Sequence, residues 1–297
     1  MVKNRIVKDR LAQGVMFSLT IVAILFVVVM AIGLYLKSSP VLEGRSLFSL
    51  LTSSVWKPMK GEFGFLPFIV GTLWVTFLAI LISFPISFLT AIYLTEYARP
   101  VVRKFVFPAL DILAALPSVI YGVWGMLVIV PWISNNVAPH FMEFSSGYTV
   151  LAAGIVLGVM VIPLLVSLFI EVFTSVPAEL REASLALGAT RWQTTKKVVL
   201  RKTLAGVLAA VVLAISRAMG ETIAVLMVCG CVIGIPTNIL ESCYPIPALI
   251  ANNYGEMLSM PLYESALMFA ALILFAVVLI FNLLSRIILY RIESREE

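Results

Sequence analysis

The sequence predicts an all-α membrane protein with six transmembrane helices, and three observations carry that prediction. Hydrophobic residues make up 61% of the 297-residue chain and charged residues only 12%, with a mean hydropathy of +1.07. A soluble domain of this length needs far less apolar surface. Several stretches exceed the roughly 18 to 20 apolar residues that cross a ~30 Å hydrocarbon layer as a helix. The run from Val15 to Leu36 is apolar throughout except for Ser18 and Thr20, whereas the strands of a membrane barrel would alternate.

Windows of low charge place the spans near 15–36, 67–94, 106–132, 148–172, 204–230 and 265–288. The first follows Lys3, Arg5, Lys8 and Arg10, as a secretory signal would. Its apolar stretch is about twice the usual signal core, and no small-x-small site follows Leu36, so a retained anchor is expected. Pro85, Pro117 and Pro163 fall inside spans two to four and are expected to kink them. Thr72 and Thr76 share a face of span two, and Ser118 and Tyr121 follow Pro117. For the threonines the ordinary reading is a bond back to the helix's own carbonyls.

Orientation follows from the lysines and arginines. All but Lys37, Arg45, Lys57, Lys60 and the intramembrane Arg217 fall on one side, in both tails and in the loops after spans two and four. Both termini are therefore expected in the cytoplasm. The net charge of +5 reflects this topology and anionic headgroups, not nucleic acid. Cys229, Cys231 and Cys243 cluster toward the outer side. They are readable as free thiols or as a Cys231–Cys243 disulfide. The single histidine, His140, reads as a solvated loop residue, and no metal-ligand spacing exists.

The chain has no G-x-x-x-x-G-K-[ST] phosphate loop, no H-E-x-x-H and no G-x-S-x-G elbow, which argues against ATP binding and hydrolase chemistry in this chain. No inverted repeat is evident, which argues against a secondary carrier. No cofactor is expected.

The loop 175–203, "SVPAELREASLALGATRWQTTKKVVLRKT", carries helix punctuation. Pro177 opens a first helix with Glu179 near its positive end. Val176, Leu180, Ala183, Ser184 and Leu187 recur at helical spacing. Gly188 suits a left-handed stop, and Thr190 with Gln193 has capping-box spacing. The expected product is a helix–glycine–helix hairpin, either packed on its own bundle or docked into a cytoplasmic partner.

"EASLALG", from Glu182 to Gly188, resembles the E-A-A-x-x-x-G loop of ABC importer permeases, in which short coupling helices sit in a groove of the ATPase subunit. Carried over by position, Glu182, Ala183 and Gly188 match that signature, and Ser184 replaces its third small residue. The family pattern ends in I-x-L-P where this chain has Val198, Val199, Leu200 and Arg201, leaving the end of the coupling helix open. The phrases at 63–98 and 113–125, with "SRAMGETIAVLMVCG" at 216–230, resemble the phosphate-specific importer permeases, PstC-like subunits more than PstA-like ones. The resemblance implies a type I ABC importer permease (MetI-like) architecture. It also implies a PstA-like second permease, an ATP-binding subunit dimer and an extracytoplasmic phosphate-binding protein as partners. On this reading residues 1–66 are a tail, first helix and outer loop, 67–288 a five-helix permease core, and 289–297 a cytoplasmic tail. A permease for another oxyanion, a stand-alone channel and a secondary carrier remain alternatives.

Arg217 and Glu221 are the only formal charges between Leu204 and Ile235. Arg217 lies about 20 Å along a helix begun at Leu204, at ~1.5 Å per residue, where a charge costs roughly 2.5–3.5 kcal/mol on insertion scales. Four residues apart, the two are expected to share a helix face and to pair. A self-neutralising pair that aids packing is one reading. The other is an anion site in the substrate pathway, with Arg217 as the phosphate-matching fork and Glu221 as its counter-charge. The outer segment Pro236–Pro261, with four prolines, Glu241, Glu256 and no basic residue, is too apolar for a plain linker and is expected to fold back as a gate or receptor-facing surface.

Overall fold

A computed structural model describes residues 2–43, 45–142, 144–255 and 260–293; Glu256, and Arg295 of the basic tail, lie outside them. The chain is helical, with a two-residue hairpin of strands as its only sheet among the described residues. The helices are α1 (Val2–Leu42), α2 (Leu47–Thr52), α3 (Leu66–Ile92), α4 (Pro100–Ala115), α5 (Ser118–His140) and α6 (Val150–Thr174). They continue as α7 (Ala178–Ala186), α8 (Arg191–Lys202), α9 (Leu204–Met219), α10 (Ile223–Leu226), α11 (Ile246–Asn253) and α12 (Pro261–Glu293). Five helices, α1, α3, α5, α6 and α12, are long and apolar enough to cross a membrane, and α8 with α9 supplies a sixth crossing if that bent pair is one span.

Two expected spans are redrawn. The third does not run from 106 to 132: the chain leaves the helix at Leu116 and Pro117, both extended, and the spanning helix starts at Ser118. The residue before a proline is driven out of the α region, so α4 becomes a separate helix with Arg103 and Lys104 on it. The fifth does not run from 204 to 230. It ends at Met219, where Gly220 forms the cap, and it meets α8 at a 68° bend.

The core is α3 against α6. Their close approach needs small residues: a Cβ on Gly154 would lie 2.7 Å from Leu78 Cβ, and one on Gly158 would lie 3.2 Å from Ala79 O. Toward Thr174 the seam is aromatic, with Phe88 edge-on to Phe169 and Phe173 at 5.6 and 5.7 Å between centroids. Helix α1 stands outside this core with 0% of its apolar window buried. It packs along α12, with Lys37 Nζ 3.2 Å from Glu264 Oε1 and Val41 N–H donating to Ser265 Oγ.

The outer segment folds back as expected and supplies what the first turn of α6 lacks. The opening N–H groups of a helix have no partner within it. Here Val150 donates to Glu241 O, Leu151 to Ile239 O, and Ala152 to the Thr149 side chain. Thr72, an undecided candidate by sequence, donates to Phe68 O and accepts from Ile246 N, which fixes α11. Tyr244, Asn253 and Tyr263 then tie α11 to α12 through a chain of side-chain bonds. The three cysteines are free thiols, and no Cys231–Cys243 disulfide forms.

Two outcomes follow. Gly154→Val forces α3 and α6 apart and should destabilise the purified protein by about 1–3 kcal/mol, read as a lower melting temperature in detergent. Glu241 accepts from Thr237 N–H and Oγ1–H at 2.8 and 2.9 Å, which holds its carboxyl below the ordinary value. A depressed carboxyl contributes stability above its unfolded pKa and loses it as pH falls through the folded one. Amide exchange at 237–243, corrected for intrinsic rate, should therefore quicken below about pH 4, and Thr237→Val should move that onset upward.

Candidate translocation and coupling sites

Arg217 sits in the last turn of α9, exposed on its flank. Guanidinium near a helix C-terminus is favoured by the unpaired carbonyls there. Glu221 is not its helical neighbour, because the helix has already stopped. The Glu221 amide donates to Ala218 O, and its carboxylate turns the other way, accepting Ala224 N–H at 3.4 Å at the start of α10. The expected ion pair is absent among the described residues, whose salt bridges are Lys37–Glu264 and Arg181–Glu96. Glycine at 220 is the cause: it is a poor helix interior residue and a good terminator. An uninterrupted helix would have set the two charges on one face.

Beside this end of α9 lies an apolar cavity of about 290 Å³ between α3, α11 and α12, reached by Thr72, Met219, Ile246, Val277 and Phe281. Thr76 is buried on α3, and Tyr121 donates across the α4–α5 break to Leu113 O at 2.8 Å. Neither joins Arg217.

The 175–203 hairpin forms as read. Pro177 is the cap before α7 with Glu179 in its first turn. Gly188 takes φ +82°, a conformation that L side chains rarely adopt. Thr190 Oγ1 accepts Gln193 N–H while Gln193 Oε1 accepts Thr190 N–H, completing the capping box. Ser184 and Thr194 hydroxyls close the hairpin at 2.9 Å. The stripe is not packed inward: of its residues only Val176 is buried and Ser184 half-buried, while Leu180, Ala183 and Leu187 are exposed, Leu187 at 90%. Leu185 and Trp192, outside the stripe, are exposed too. Glu182, Ala183 and Gly188 are exposed with them. Arg201, where the family pattern has proline, lies inside α8 and lets that helix run to Lys202.

Sequence reading missed what fastens the hairpin. Arg181 reaches Glu96 Oε1 through Nη2 at 3.1 Å and Nε at 3.3 Å, and also donates to Phe173 O and Val176 O. Glu96 lies in the π turn that prolongs α3, Tyr93–Tyr97. One guanidinium thus joins α7 to the ends of α3 and α6, at the edge of a cavity of about 400 Å³ that Thr95, Arg191 and Thr194 also line. In the sequence these two residues are 85 positions apart and look like ordinary loop charges.

The family model for the "Binding-protein-dependent transport system inner membrane component" matches residues 83–296, most of the chain. The chain belongs to that family of permeases. Among its relatives, the phosphate transport system permease protein PstC of Pasteurella multocida is 39% identical over 263 residues, covering 84% of this chain and 82% of that protein. The probable PstC of Methanocaldococcus jannaschii is 34% identical over 280 residues, covering 89% and 88%. In solved structures, the permease fold is shared with the inward-facing MetNI methionine ABC transporter, at TM-score 0.54 and 20% identity, covering 75% of this chain and 91% of that one. A bacterial alginate ABC transporter matches at TM-score 0.55 and 18% identity, covering 74% and 76%.

For this permease, Glu96→Gln should speed amide exchange of residues 178–187 by about 10- to 100-fold, the worth of a charge-assisted bond. Glu96→Arg combined with Arg181→Glu should recover part of that protection.

Proposed function

We propose that this chain is the membrane-spanning permease subunit of an ATP-driven importer that carries inorganic phosphate across the cytoplasmic membrane. ATP hydrolysis belongs to a partner subunit dimer, and an extracytoplasmic phosphate-binding protein delivers the anion. A PstA-like second permease completes the path, and both termini lie in the cytoplasm.

The observation that carries this reading is Arg217, exposed and without a carboxylate partner among the described residues, in a chain whose relatives are named phosphate permeases. A guanidinium on the flank of a span is costly against lipid, so it faces a wet path closed by the second permease. Its planar fork suits phosphate oxygens. Glu221, turned to cap α10, leaves that fork open in this conformation. In another conformation it could neutralise Arg217, which would let the site release its anion.

The hairpin supplies the drive. Leu180, Leu185, Leu187 and Trp192 offer an apolar face to an ATPase groove, with Glu182, Ala183 and Gly188 at the matching family positions. Because α8 leads through the bend at Thr203 directly into α9, movement of the hairpin is transmitted along the same stretch of chain that ends at Arg217.

Co-expressed with its neighbouring genes, the chain should copurify with an ATPase. Vesicles bearing the complex should take up phosphate only with ATP and the binding protein. Arg217→Ala should abolish uptake, while Arg217→Lys should leave it partial or lost, because the charge stays and the fork goes. Undiminished uptake by Arg217→Ala in an assembled complex would refute the site.

A further inference from the structure

Resting on the phosphate-permease reading, we infer that Asn282, held by Ser216, is a second contact on the anion path, and that it selects a protonated oxyanion over sulfate. Asn282 is an exposed amide on α12, flanked by exposed Ile280, Leu283 and Leu284. An amide oxygen without a donor on such a surface would lose its water uncompensated if it faced hydrocarbon. Its partner Ser216 is the residue next to the exposed Arg217, and such a region meets water or a polar ligand.

The bonding around the amide shows which atoms are free. Asn282 Nδ2 donates to Val278 O at 2.8 Å and to Ser216 Oγ at 3.0 Å. A carbonyl only accepts, so the atom beside Val278 O is the nitrogen, and the acceptor Oδ1 points elsewhere. Among the described residues nothing donates to Oδ1. Ser216 is free to donate as well. Several hydroxyls of the helices, those of Thr20, Thr72, Thr95, Thr174 and Thr203, donate back to their own helix's carbonyls. Ser216 makes no such bond. It accepts from Asn282 and keeps its proton for another partner.

Ser216, bonded to Asn282 of α12, is followed on α9 by the exposed Arg217, so a hydroxyl donor lies one residue along the chain from the guanidinium-bearing position and holds an amide acceptor beside it. Inorganic phosphate near neutral pH carries charged oxygens and at least one P–OH. The oxygens take Arg217 and Ser216, and the P–OH donates to Asn282 Oδ1. Sulfate has no proton to give, and its oxygens would face Oδ1 with like partial charge. A site built to accept a hydrogen bond rejects an analogue that cannot donate one far more strongly than a pocket rejects by shape.

The test uses the complete transporter: both permeases, the ATPase pair and the phosphate-binding protein, reconstituted in vesicles. Asn282→Leu should lower phosphate uptake about tenfold or more, while complex recovery and binding-protein-stimulated ATP hydrolysis stay at wild-type levels. Ser216→Ala should lower uptake less, since Oδ1 remains. As a second readout, the detergent-solubilised complex without binding protein should be protected from heat better by millimolar inorganic phosphate than by sulfate, and Asn282→Leu should erase that difference.

Wild-type uptake by Asn282→Leu, or equal protection of the unsubstituted complex by both anions, would overturn the assignment. So would a fall in uptake matched by an equal fall in assembly and ATP hydrolysis, which would make the Asn282–Ser216 bond a packing tie. Arg217→Ala separates the two levels of the argument. If it is inactive while Asn282→Leu is normal, only Asn282 is misassigned. If both take up phosphate normally, the Arg217 site falls with it, and the phosphate-permease reading itself fails only if the unsubstituted complex takes up no phosphate.

Discussion

Helices α3 and α6 touch along most of their length because glycines at 154 and 158 leave no Cβ between the backbones. In lipid there is little hydrophobic drive between helices, so close van der Waals approach and a few internal bonds must supply the association. The pair also receives the rest of the protein. Gly206 brings the start of α9 against Val172, the outer segment caps the first turn of α6, and Arg181 fastens the hairpin where both helices end. Loosening this seam would disturb the outer cap, α9 and the hairpin together.

The polar groups of the spans fall into two sets. Most are satisfied locally, as Thr95, Thr174 and Thr203 are by their own carbonyls. A few are directed sideways or outward: Asn282 bonds Ser216 where α9 meets α12, and Arg217, next along α9, is exposed. The 68° bend before α9 places that group at one end of a short helix and the hairpin beyond the other.

Much of this was legible in the sequence where the signal is local. The capping box at Thr190 and Gln193, the left-handed Gly188 and the apolar length of α1, α3, α6 and α12 all depend on residues within a few positions of one another. The third and fifth spans were misdrawn because low charge alone does not reveal where a helix stops. Pro117 and Gly220 decided those ends, and each overrode a continuous apolar window. The Arg217–Glu221 pairing failed for the same reason, since four-residue spacing brings two side chains together only inside an unbroken helix.

By itself, then, the sequence determined the solvent of this protein, its helical character, the shape of the hairpin and the family of its phrases, because composition and short spacings act through local backbone chemistry. Only the tertiary structure decided which charges meet. Arg181 found Glu96 rather than a nearer carboxylate, Glu221 turned from Arg217 to cap α10, and Asn282 reached Ser216 across 66 positions. Contacts at that separation are set by which helix faces pack together, and no local pattern in the chain encodes that packing.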